Sequence, residues 1–172
     1  AAFESLTFFD VTTFVLDTGS ADGSAPNDQI TIDSSGMVAS NLVNFIISTG
    51  AGNDKLIVQS TSYATPGSAS GITFQGGGGA DIFTGVADIS YTLTDTSVTS
   101  SAGGTINLTS IETADLTGGA SDNTFTVSDW TQTAILDGAG GSNDKIVSVN
   151  DASFTLTDTQ LTRSTGGVFL LT

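Results

Sequence analysis

"YTLTDTSVTSSAGG" spans Tyr91–Gly104, and "FTLTDTQLTRSTGG" spans Phe154–Gly167, 63 positions further on. The match extends beyond the quoted stretches: Asp81 pairs with Asp144, Ser90 with Ser153, and Val98 with Leu161. The repeat therefore covers residues 81–109 and 144–172. Within it, Asp81, Gly103, Asn123, Asp144 and Gly166 fall about 21 residues apart. Repetition on this scale constrains architecture before any function is considered, because a short repeat cannot bury its apolar face alone and needs its neighbours.

Short runs with a period of two accompany the repeat. They include "ITI" at Ile30–Ile32, "LIV" at Leu56–Val58, "YTL" at Tyr91–Leu93, "INL" at Ile106–Leu108 and "FTV" at Phe125–Val127. β-branched or aromatic residues flanking one polar residue suit strands with one buried face, and no stretch sustains an apolar period of 3.6. The pattern predicts an all-β chain wound as a right-handed parallel β-solenoid, β-helix-like or β-roll-like. Residues 1–172 would form a single domain of coils of about 21 residues. The coils are longer in the N-terminal half, where Asp28, Asp54 and Asp81 stand 26 and 27 apart. The inward residues would be Ile30, Ile32, Leu56, Val58, Phe74, Phe83, Leu93, Ile106, Leu108, Phe125, Val127, Ile146, Val147 or Val149, Phe154 and Leu156. An antiparallel sandwich of Thr-rich strands is the rival architecture.

Composition narrows the functional classes. Three Lys or Arg stand against 18 Asp or Glu, a net charge of −15, and all but Glu4 and Glu112 of the acidic residues are Asp. Asp favours turns and cation-binding loops over helix interiors. Such a charge repels nucleic acid and anionic lipid, so neither nucleic acid binding nor membrane insertion is expected. The chain has no His and no Cys, which removes imidazole acid–base chemistry, thiol nucleophiles, disulfides and the usual zinc sites. A 38% hydrophobic content in short β-type runs argues against disorder.

The turns carry a motif. Gly76-Gly77-Gly78-Gly79-Ala80-Asp81-Ile82-Phe83 fits G-G-x-G-x-D-x-(large apolar) throughout, and "TGAGNDKL" (Thr49–Leu56) fits with Thr49 replacing the first Gly. "GGASDNTF" (Gly118–Phe125) and "AGGSNDKI" (Ala139–Ile146) are weaker matches, and "GSAPNDQI" (Gly23–Ile30) is the weakest. Glycine permits the tight turn, while carboxylate and carbonyl oxygens can converge on a hard cation. In these segments the chain resembles the hemolysin-type calcium-binding repeats of RTX proteins and the Gly-Asp-rich repeats of large bacterial secreted or surface proteins. The resemblance implies a parallel β-roll, an extracellular or cell-surface location, and Ca2+ held between turns. Its metal-site residues would be Asp54, Asp81, Asn123 and Asp144, with Gly52 and Gly79 shaping the loops. The departure from that family is that each motif here is single rather than in immediate tandem.

No catalytic role is expected. Asp17, Asp95, Asp137 and Asp158 could supply paired carboxylates for a polysaccharide-active β-helix, but each has a repeat partner, as turn caps would. Trp130, Arg163 and the loop around Pro66 are the features that break the repeat. Thr92–Thr94, Thr155–Thr157 and Thr124–Thr126 each place two Thr on an outward face, which keeps an ice-binding or adhesive β-solenoid as an alternative. The leading expectation is a structural module of a repetitive surface protein or filament. Its partner would be itself, head to tail through Val168–Leu171 and Phe3–Phe8, or the neighbouring units of a longer tandem array.

Overall fold

The computed structural model describes residues 10–21 and 26–172, so Glu4, the Phe3–Phe8 edge and Gly23 lie outside the described residues. The chain shuttles between two eight-stranded sheets. In chain order, β1 (Thr13–Asp17), β3 (Asn44–Ser48) and β5 (Ile72–Gln75) fall in the first sheet, alternating with β2 (Gln29–Ile32), β4 (Lys55–Val58) and β6 (Ile82–Val86) in the second. Three strands then stay in the first sheet: β7 (Tyr91–Thr94), β8 (Ser97–Ser100) and β9 (Thr105–Thr109). Alternation resumes with β10 (Thr113–Gly119) in the second sheet, β11 (Thr124–Asp129) in the first, β12 (Thr133–Ala139) in the second and β13 (Lys145–Val147) in the first. The last three strands stay in the second sheet: β14 (Phe154–Leu156), β15 (Gln160–Arg163) and β16 (Val168–Leu171). Among the described residues the only helical turn is the 3-10 segment Gly19–Ala21, and no helix is long and apolar enough to cross a membrane.

Most neighbours are parallel, as the sequence predicts. β1, β3, β5 and β9 stack in parallel in the first sheet, and β7 stacks on β11 and β11 on β13. In the second sheet β2, β4, β6, β10, β12 and β16 form one parallel run. The step from one turn to the next is 26 or 27 residues early in the chain, and 20 or 21 around Asp122 and Asn123. It rises above 30 where a turn contains an added loop or hairpin.

The two copies of the repeat correct the sequence reading. They are not parallel coils but antiparallel three-stranded meanders: Tyr91 pairs with Ser100, and Phe154 with Arg163 in the same way. The cause is local. Asp95-Thr96 is a two-residue link between Thr94 and Ser97, short enough only for a hairpin, and Gly103 and Gly104 turn the chain again at φ of 119° and 91°. A second correction follows from the topology. The 63-residue unit makes five visits to the sheets, not three coils of about 21. Because five is odd, the first meander lies in the first sheet and the second meander in the second.

Burial follows the period of two. β10 alternates half-buried and buried along its whole length, with Ala114 and Leu116 inside. Ile32, Leu56, Val58, Phe74, Phe83, Leu93, Ile106, Leu108, Phe125 and Val127 are buried as predicted, and Ile30 and Ile146 pack against this core. Of Val147 and Val149, Val147 is half-buried and Val149 exposed, while Phe154 and Leu156 depart from prediction and are exposed. Trp130 is fully buried. Arg163 is buried as well, with its guanidinium 5.1 Å from the Phe169 ring centre.

Candidate functional site

The motif residues sit in the turns between sheets and fall into two columns. Asp54 and Asp81 immediately precede β4 and β6, in turns that pass from the first sheet to the second. Asn123 and Asp144 precede β11 and β13, in turns that pass the other way. The structure thus brings Asp54 and Asp81 together, and Asn123 and Asp144 together, but keeps the two pairs in different columns.

In the first column Asp54, Asp81 and Glu112 each reach back one turn. Asp54 Oδ1 accepts the Asp28 backbone N–H at 2.7 Å, and Asp81 Oδ1 accepts that of Asp54 at 2.8 Å. Glu112 Oε2 accepts the Asp81 N–H at 2.8 Å. The preceding Asn reaches forward instead. Asn27 Oδ1 accepts the Asn53 N–H at 2.8 Å, and Asn53 Oδ1 accepts the Ala80 N–H at 2.9 Å. Asn53-Asp54 therefore clamps both the turn before it and the turn after it, and Asn27 clamps the turn after it. Turn amides that no strand can satisfy are satisfied in this way, and leaving one buried and unpaired costs about 1–3 kcal/mol.

The second column follows the same logic with altered residues. Asp144 Oδ1 reaches back to the Asn123 N–H at 2.7 Å, and Asp122 Oδ1 reaches forward to the Ser142 and Asn143 N–H groups at 2.8 and 3.1 Å. Asn123 accepts the Gly119 N–H of its own turn at 2.8 Å and reaches back one turn to donate to the Ile89 carbonyl at 3.1 Å. Hydrogen bonds from the Ser142 and Asn143 backbone hold the Asp122 carboxyl below the ordinary Asp range, and those from Ser121 and Asn123 act likewise on Asp88.

Gly52 and Gly79 make the close stacking of turns possible. Their φ values are 134° and 133°, which L side chains rarely adopt. A Cβ on Gly52 would meet the Pro26 carbonyl oxygen, and one on Gly79 the Gly52 carbonyl oxygen. Both glycines therefore serve turn-on-turn contact.

Burial leaves a residue of unmet polarity in the first column. Asp54 and Asp81 are fully buried, and among the described residues the Oδ2 atoms of Asp28, Asp54 and Asp81 have no hydrogen-bond partner. Burial pushes the Asp81 carboxyl above its ordinary range. The Asp54 N–H opposes that rise, and the charges of Asp54 and Glu112 add to it. Among the described residues, no group of three or more acidic side chains gathers in a metal-holding arrangement. Asp144 is exposed and Asn123 is already committed to protein partners, so the second column has no comparable buried oxygen.

Three features escaped the sequence reading: the forward-reaching Asn27 and Asn53, Glu112 as the last carboxylate of the first column, and Asp88 as a cap on the following turn. The recurrent "ND" at 27–28, 53–54 and 143–144 was the available signal for the clamp. Asp95 accepts the Thr131 N–H and hydroxyl at 2.6 and 2.7 Å. Asp17 and Asp137 bond the backbone of their own turns, at Ser20 and Ala139. Outside the turns, Thr126, Thr92, Thr99 and Thr105 line up across four adjacent strands of the first sheet. No family model, curated protein or solved structure matches the chain.

Proposed function

We propose that the chain is a structural module of a repetitive extracellular or cell-surface protein. It is wound as a β-solenoid of two sheets whose Asn-Asp clamps lock successive turns, and whose first turn column takes up Ca2+. Right-handed winding is expected, since crossovers between parallel strands of one sheet are almost always right-handed. The observation that carries the reading is the ladder Asp54–Asp81–Glu112, each carboxylate capping the turn before it, the first of them at the Asp28 amide. Its function is mechanical: side chains spend their hydrogen bonds on holding one turn to the next.

Calcium is supported by the orphaned, buried Oδ2 atoms of Asp54 and Asp81, hard oxygen donors in adjacent turns. Gly52 and Gly79 would allow the approach, while Asn123 and Asp144 are the weaker pair. Extracellular calcium modules work at dissociation constants of about 10⁻⁴–10⁻³ M, and that range is expected here. The test is calorimetric titration with CaCl₂ of the wild type and of Asp81→Ala. Heat in the wild type that disappears in the variant supports the site, and no heat in either protein removes calcium from the account. At a hundredfold excess over its dissociation constant, a bound ion would add about 2.7 kcal/mol to stability.

The four-Thr row favours a second reading, an ice-binding face on the first sheet. Thr92 is exposed, and the other three are half-buried. A thermal-hysteresis measurement decides it: freezing-point depression beyond the colligative value, lost on Thr92→Tyr, would favour this reading, and its absence in the wild type would dismiss it.

A further inference from the structure

The first column passes from two turns that carry the motif to one that does not, and the oxygens are arranged differently there. The registers Ser48–Gln75–Thr109 and Lys55–Ile82–Thr113 make Thr49, Gly76 and Ser110 equivalent, and likewise Asp54, Asp81 and Glu112. Residues 49–54 and 76–81 form the first two turns, whereas the third is only Ser110-Ile111-Glu112. Glu112 makes up some of the missing length with its extra methylene and still reaches the Asp81 N–H. Between the 49–54 and 76–81 turns, Thr49 Oγ1 donates to the Gly76 carbonyl at 3.0 Å, so that oxygen is engaged. Between the 76–81 and 110–112 turns no such hydroxyl exists, because Gly76 stands where Thr49 stands one turn earlier. A Cβ on Gly76 would touch both the Ser110 carbonyl oxygen and Asp81 Oδ2, so these two oxygens converge on one point. Asp81 Oδ2 is buried without a partner, and among the described residues no hydrogen bond reaches the Ser110 carbonyl.

We infer that a single Ca2+ binds between the 76–81 and 110–112 turns, held by Asp81 Oδ2, the Ser110 carbonyl and the Glu112 carboxylate. The inference rests on the calcium reading above and selects one gap of the column for the ion. Two of the three oxygens already approach a common point, as a cation with bonds of about 2.3–2.6 Å requires. The two carboxylates supply the charge that a divalent ion neutralises. Glu112 is half-buried while Asp81 is fully buried, so the ion enters from the Glu112 side. Asp54 Oδ2 is also buried without a partner, but the Gly76 carbonyl of its gap is taken by Thr49. In the second column Gly118 leaves similar room, yet the oxygen beside it is Asn123 Oδ1, which already accepts the Gly119 N–H. Three protein oxygens leave the other positions of a roughly six- to eight-coordinate ion to water, which suits binding at about 10⁻⁴–10⁻³ M.

Calorimetric titration of the whole chain with CaCl₂ tests the choice of gap. The wild type should bind one ion per chain. Glu112→Gln keeps an oxygen for the Asp81 amide but removes a charge, so it should bind at least about tenfold more weakly. Asp54→Asn likewise keeps the cap on the Asp28 amide and should bind as the wild type does. Circular dichroism without calcium should show both variants folded, since neither loses its cap. NMR of the wild type gives a second reading that needs no substitution. A cation on the Ser110 carbonyl should shift the Ile111 backbone nitrogen more than it shifts Gly77, which follows the Gly76 carbonyl. Two ions per chain, a Glu112→Gln variant that binds as tightly as the wild type, an Asp54→Asn variant weakened more than Glu112→Gln, or a larger shift at Gly77 than at Ile111 would each overturn the inference. Any of these leaves calcium in the column, whereas no heat in the wild type removes both the column's calcium and this site.

Discussion

Asp81 shows how one side chain can serve the fold and strain it at once. Its Oδ1 caps the Asp54 amide while its Oδ2 is buried without a partner, and burial raises its pKa. Protonation therefore favours the folded chain. The stabilising contribution is complete below the ordinary Asp value of 3.8 and is lost as pH rises through the higher folded value. Asn123 shows that an amide can occupy such a turn position. Asp81→Asn should keep the cap and remove the pH-dependent cost, so it should melt higher than the wild type at pH 7 in the absence of calcium. The gap should close as pH falls towards about 4, as thermal circular dichroism at a series of pH values would read. Asp81→Ala should lose about 1–3 kcal/mol by urea denaturation, the cost of an unpaired amide. Arg163 is the second decisive residue. Its guanidinium donates to the carbonyls of Val127, Ser128, Trp130 and Gly166, and to Ser148 Oγ and Asn150 Oδ1. The equivalent residue in the first repeat is Ser100, which spans only to the Thr61 carbonyl and the Ala102 amide. Arg163→Ala should cost about 3 kcal/mol or more, and Lys should not restore it, because a compact ammonium cannot reach acceptors spread around a planar fork.

At the scale of elements, strand positions were legible in the sequence and strand partners were not. Alternation of Thr with Val, Ile and Phe marks a half-buried strand whether its neighbour is one turn away or across a hairpin, since both have a period of two. The Tyr91 and Phe154 stretches were therefore read as coils, when their Asp-Thr links and Gly pairs had already specified hairpins. The motif's Asp and Gly positions were legible as turns. Their division between two columns was not, because it depends on how many sheet visits separate them. Trp130 and Arg163 were visible as departures from the repeat, but their mutual packing spans 33 residues and leaves no local pattern. Placement of the basic residues gives a direct check. Lys145 is exposed on β13 at the edge of its sheet, Lys55 is half-buried on β4 between two strands, and Arg163 is buried. Native trypsin digestion followed by mass spectrometry should cut after Lys145 first and spare Arg163 until the chain unfolds.

The whole molecule couples a strong negative charge to a core that depends on stacking. With a net charge of −15, folding gathers like charges, and the carboxylates that clamp the turns are among them. Added salt should raise the melting midpoint by screening, and CaCl₂ should raise it further than NaCl of equal ionic strength if the first column binds the ion. Both follow from one arrangement, in which turn amides are satisfied by side chains of the turn above or below. The most direct measurement of that arrangement is amide hydrogen exchange read residue by residue by NMR. The N–H groups of Asp28, Asn53, Asp54, Ala80, Asp81 and Asn123 lie outside the strands, and their acceptors are side chains of a neighbouring turn. The account predicts that they exchange as slowly as strand amides, and that Asp81→Ala frees Asp54 first. Rapid exchange at these six positions beside well-protected strands would contradict it.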